Sequence, residues 1–143
     1  MIAGFGFTNI SVERKNPVKG KVEIKYNLNI NDIEEEKLPL LGPGKISLRM
    51  DFKYSVDYEP KIGSVKIAGN MIYVTDSEAG KKLLSEWKKN KRLGNEEVAA
   101  VIFNTALTRC NIRALALSQD VGLPPHLPLP KAIPKGSAKS YIG

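Results

Sequence analysis

The sequence predicts an α+β fold: a four-stranded antiparallel sheet, connected as a meander, packed by a short helix and one long C-terminal helix. Three observations carry that expectation. Apolar and polar residues alternate through much of residues 1–74, as they do in half-buried strands. Residues 95–121 contain no Gly or Pro and read as one uninterrupted helix. The run Gly122-Leu-Pro-Pro-His-Leu-Pro-Leu-Pro130 closes that helix, because proline lacks the amide a helix needs.

The elements follow in order. Phe5, Phe7, Ile10 and Val12 suggest a first strand, broken at Asn16-Pro17 with a turn at Lys19-Gly20. Val22, Ile24, Tyr26, Leu28 and Ile30 then alternate with Lys21, Glu23, Lys25, Asn27 and Asn29, so one face meets a core and the other meets water. Residues 31–44 interrupt the pattern with the acidic run Glu34–Glu36 and the turn residues Pro39, Gly42, Pro43 and Gly44, which reads as a long solvated loop. The best strand is next: Ile46, Leu48, Met50, Phe52, Tyr54, Val56 and Tyr58 all point one way, and Glu59-Pro60 ends it. Ile62, Val65, Ile67, Met71, Tyr73 and Val74 form the last strand, with Gly69-Asn70 suggesting a bulge or bend within it. Short links between strands favour the meander.

Asp76 or Ser77 can cap a short helix in which Ala79, Leu83, Leu84 and Trp87 recur at helical spacing opposite lysines, and Gly94 ends it. Asn95 caps the long helix, with Glu96 and Glu97 at the positive end of its dipole. At ~1.5 Å per residue its length is about 40 Å. Apolar residues cover most of its circumference, including Val98, Ile102, Phe103, Ala106 and Cys110. One small sheet covers one side of such a helix, and a second subunit is the simplest cover for the other. Those five residues are therefore the expected oligomer interface, in a dimer or tetramer. Proline-rich residues 124–134 favour an extended course, with leucines to hold them to the body, and residues 135–143 read as a disordered basic tail.

Length and composition fit a single domain, residues 1–134, followed by that tail: the chain has 143 residues, 42% of them hydrophobic. No apolar run approaches the roughly 18 residues of a membrane span, and residues 1–7 lack the charged and apolar regions of a signal peptide. The single cysteine forms no internal disulfide, which suits a reducing, cytoplasmic address. Net charge is +7, concentrated in Lys81, Lys82, Lys88, Lys89, Lys91 and Arg92 and in the tail. The patch Lys81, Lys88, Lys89, Lys91 and Arg92 is either the solvated face of an amphipathic helix or a contact for phosphate or an acidic protein.

Catalytic equipment is scarce. One His and one Cys, in no ligand pattern, do not make a zinc site, and no metal or other cofactor is implied. His126, set between prolines, reads as a surface spacer, and Cys110 as a buried small hydrophobe. Gly4-Phe5-Gly6 follows no strand and is not a phosphate loop. The chain reads as a non-enzyme that works through its surfaces.

The order of elements resembles the SecB export-chaperone family, in which four antiparallel strands precede a long helix and a Pro- and Leu-containing segment. Gly4-Phe-Gly-Phe-Thr-Asn-Ile-Ser-Val12 resembles that family's first strand, Ile46-Ser-Leu-Arg-Met-Asp-Phe52 its third, and Ser64 to Val74, interrupted by glycine, its fourth. The nearest local likeness is the apolar helix with core Ala-Leu-Thr-Arg-Cys-Asn-Ile (106–112) running into Leu123 to Pro130. The resemblance spans about residues 4–131. It implies oligomers built through the helix and sheet, and capture of non-native polypeptides in apolar grooves. Ile46, Leu48, Met50, Phe52 and Tyr54 are then candidate peptide-binding residues, Met50 being flexible and polarizable, although for any one of them plain core is the favoured reading. SecB proteins are acidic, and their acidic surfaces serve the export motor; this basic chain departs from them there. The alternative reading is a nucleic-acid or ribonucleoprotein component using the basic patch and tail.

Overall fold

Strict period-two alternation makes the third strand the centre of the molecule. The computed structural model describes residues 1–134, and the basic tail expected to be disordered, 135–143, lies outside the described residues. The elements run β1 (Ile2–Arg14), β2 (Glu23–Glu35), β3 (Lys45–Glu59), β4 (Gly63–Asp76), α1 (Ser77–Asn90) and α2 (Glu96–Asp120). On β3, Ile46, Leu48, Met50, Phe52, Tyr54, Val56 and Tyr58 are at most 4% exposed. They lie in register with β4, as in Val56↔Val65, Tyr54↔Ile67 and Met50↔Met71. Burying each large apolar side chain contributes about 1.5–3 kcal/mol, so this double row dominates the core.

All strand pairs are antiparallel, and the order across the sheet is β1-β4-β3-β2. β2, β3 and β4 form the expected meander. β1 refines it: it pairs with β4, so residues 15–22 carry the chain from one sheet edge to the other, a Greek-key order. The pairing is favourable because Phe5, Ile10 and Val12 fall beside Met71, Ile67 and Val65 on the apolar face.

Three irregularities fall where the sequence did not point, one of them near the start of β1 between Ile2 and Gly4. Residues 31–35, expected as loop, continue β2 beyond a bulge between Ile30 and Asp32. The extra residue returns Ile33 to the core side, where it is 2% exposed opposite Met50. The bulge expected at Gly69-Asn70 lies instead in β1, between Phe7 and Asn9. Gly69 serves close approach: a Cβ there would collide with the Phe52 ring and the Gly6 carbonyl. Phe5 stacks on that same Phe52 ring at 5.3 Å.

The helices cover one face of the sheet. Asp76 precedes α1 but does not cap it; its carboxylate accepts from Lys45 Nζ at 2.7 Å. Asn95 caps α2 as expected, its Oδ1 accepting from the amides of Glu97 (3.0 Å) and Val98 (3.1 Å). α1 buries Gly80, Leu83 and Trp87 along one stripe. α2 buries Ile102, Ala106, Cys110 and Ala114, each 0% exposed, and then Leu117. None of the described helices is long and apolar enough to cross a membrane.

Gly80 carries a prediction. Gly→Ala in a free helix gains about 1 kcal/mol. Here a Cβ would run into Ile46 Cγ2, a stiff β-branched side chain in the core. Gly80→Ala should therefore lower stability, by about 1–3 kcal/mol of overpacking, in urea denaturation. A gain in stability would show that α1 does not pack this closely.

Candidate functional site

Helix α2 presents two apolar sides. The inner side is the small-residue stripe against the sheet. The outer side carries Val101, Thr105, Thr108, Ile112 and Leu115, spaced alternately by four and three residues so that they form one ridge. Val101 is 50% exposed and Ile112 66%. Apolar exposure continues on the helix-facing side of the sheet at its edges, with Phe7 and Ile10 on β1 and Tyr26 on β2. On β1, the Arg109 guanidinium lies 4.7 Å from the Phe5 ring centre and shields part of that strip.

A polar latch ties the proline-rich segment to the sheet. Tyr58 Oη donates to the Pro124 carbonyl at 2.7 Å. Tyr54 Oη donates to Asn111 Oδ1 at 2.7 Å and lies 2.9 Å from His126 Nε2. His126 Nε2 is also 3.0 Å from Asn111 Oδ1. The tautomer that fills this triangle has the hydrogen on Nε2, leaving Nδ1 a buried lone pair without a partner. Tyr26 meets the His126 ring edge-on at 6.2 Å. Burial pushes the Tyr54 phenol well above its usual range and the His126 imidazole below its own. Cys110, beneath the latch, is pushed up to about 12 by burial, so its thiol stays protonated and is no nucleophile. Among the described residues no three His, Cys, Asp or Glu side chains group to hold a metal.

A third feature is a cleft of about 340 Å³ between β2, α1 and α2, lined by Ile30, Trp87, Lys91, Leu93 and Phe103 among others. On the other face of the sheet none of the described helices packs, and β3 presents Arg49, Asp51, Lys53 and Asp57 there beside Ile72 and Val74 of β4. Arg49 organises part of it, with Asp51 (3.2 Å), Glu34 (3.0 Å) and Glu36 (4.0 Å) holding its guanidinium protonated.

No protein-family model matches the chain, and no curated protein matches its sequence. Among solved structures, it is similar to the Mycobacterium tuberculosis Rv1957 SecB-like chaperone, solved in complex with a ChAD peptide from the Rv1956 HigA1 antitoxin. Identity is 10%, the TM-score is 0.50, and the match covers 94% of this chain and 91% of that one. The fold is SecB-like.

Within that SecB-like fold, the expected site residues separate. Ile46, Leu48, Met50, Phe52 and Tyr54, expected to bind peptide, are core residues under the helices, because the apolar face of β3 is covered by the chain's own α1 and α2. Of the expected interface set, Ile102, Ala106 and Cys110 are likewise buried against the sheet, whereas Val98 and Phe103 are half-buried at its margin. The outer ridge lies on the opposite side of the helix. Lys81, Lys88, Lys89, Lys91 and Arg92 are all exposed, and Lys91 and Arg92 reach the cleft. His126 is 7% exposed and latched, not a surface spacer. Sequence reasoning missed the latch because its members are up to 72 residues apart. The available signal was a histidine inside a leucine-spaced proline run that needed an anchor.

The latch predicts a pH dependence. His126 binds a proton less readily when folded than when unfolded, so the unfolded state gains protons first as pH falls through the ordinary value of 6.5. Stability should be full above that pH and decline between it and about pH 5, before most carboxylates titrate. His126→Gln should remove that slope in denaturation series. A slope unchanged in the variant would contradict the latch.

Proposed function

We propose that this chain is an oligomeric polypeptide-binding protein of SecB-like fold, a holdase for non-native proteins that acts in the cytoplasm with neither cofactor nor catalytic residue. One observation carries the reading: α2 is apolar on the side turned away from its own sheet, at Val101, Ile112 and Leu115. Exposed apolar ridges on a stable monomer mark interaction sites. The spacing of four and three residues suits a helix of a second subunit, which gives a dimer or tetramer. The remaining half-covered apolar strips, Phe7 and Ile10 on one sheet edge and Tyr26 and Ile30 on the other, then border grooves that take extended apolar segments. The mycobacterial chaperone of similar fold, solved with a bound peptide, supports such a use of this architecture.

Capture of this kind needs no chemistry. Apolar side chains of an unfolded client lose water in the grooves, at roughly 25 cal/mol per Å² buried, and weak contacts at several places add up. The free protein should suppress the aggregation of a chemically unfolded client in a turbidity assay. Val101→Asp with Ile112→Asp should lose most of that suppression while keeping the monomer fold, since exposed substitutions usually cost under about 0.5 kcal/mol. Wild-type protein that leaves client turbidity unchanged would refute the reading, and full suppression by the double variant would refute the role of the ridge.

A further inference from the structure

The cleft between β2, α1 and α2 joins an apolar floor to the basic patch, and general polypeptide holding leaves that patch unused. We propose that it is a docking site for an acidic peptide segment. An aromatic or branched apolar side chain of that segment enters between Ile30, Trp87, Leu93 and Phe103, and neighbouring carboxylates meet Lys91 and Arg92. This inference rests on the polypeptide-binding reading and narrows it to one place and one charge.

Five observations converge. The cleft's volume, about 340 Å³, lies within the range of small-ligand and side-chain pockets. Its lining holds two cations and no carboxylate. Among the described residues, Lys88, Lys89, Lys91 and Arg92 form no ion pair within the chain, so their charges are available to a partner. Lys91 ends α1 in the left-handed conformation (φ 54°), and its ammonium stands 5.7 Å from the Trp87 ring centre, over the apolar wall. Finally, Trp87 is 5% exposed, and among the described residues its indole N–H has no acceptor. A basic peptide would be repelled by the rim.

Trp87 is the chain's single tryptophan, so its emission reports on the cleft directly. The experiment titrates the full-length protein with a short synthetic peptide carrying one phenylalanine flanked by aspartates and glutamates. Controls replace the acids by lysine, or the phenylalanine by serine, and a single-stranded oligonucleotide is the fourth ligand. The acidic phenylalanine peptide should shift Trp87 emission, and Lys91→Glu with Arg92→Glu should weaken its binding roughly tenfold or more. Equal binding of the lysine peptide, equal binding of the serine peptide, or preferential binding of the oligonucleotide would each overturn the proposal. If the acidic peptide fails to bind while client aggregation is still suppressed, the cleft assignment alone falls. If suppression fails as well, the polypeptide-binding reading falls with it.

Discussion

The close seating of α2 on the sheet is the contact on which the rest of the structure depends. Ile102, Ala106, Cys110 and Ala114 recur at every fourth position, and all are fully buried. Three of the four are small, so the helix backbone lies near the β-strands and leaves no room for larger side chains. That seating fixes Asn111 beside Tyr54 and His126 and so determines where the chain can go after Val121. Arg14 Nε donates to the Val121 carbonyl at 2.7 Å, tying the end of β1 to the same point. A longer side chain in the stripe would lift the helix, open the latch and free the proline-rich segment together.

The same seating divides the helix into unequal sides. An amphipathic helix would turn polar residues outward once its inner stripe was satisfied, as α1 does with its lysines. α2 instead keeps Val101, Ile112 and Leu115 on the side away from the sheet. Exposed apolar residues thus remain on the outer side of α2, while on the bare sheet face Arg49 gathers three carboxylates. The molecule's basic charge collects at the junction of α1 and α2, beside the one cleft that combines Trp87 and Phe103 with cations.

Local pattern showed much of this, and long-range pairing did not. Residues 45–59 were legible because seven apolar positions alternate without a break, and Asn95 because caps are read within three residues. The placement of β1 beside β4 was not, since Phe5 and Met71 lie far apart in sequence and either sheet edge offered an apolar face. Residues 31–35 looked like loop because a bulge shifts the alternation by one residue and their acids mimic solvent exposure. On α2 the sequence showed an apolar surplus but not which side met the sheet. The choice of Ala106 and Cys110 for an interface followed the apolar count, whereas the small size of those residues marks the side that must approach closely. For Tyr54 and Met50 the sequence left core and peptide-binding readings both open, because their burial is set by helices more than twenty residues downstream.

The central claim is that the outer ridge of α2 is covered by a second copy of the chain. Solution mass by light scattering, at low and at high salt, tests it most directly. The account predicts a dimer or tetramer whose mass does not fall at high salt, because an apolar seam is not screened as ion pairs are. A monomer at both salt concentrations would contradict it, and would leave Val101 and Ile112 facing water.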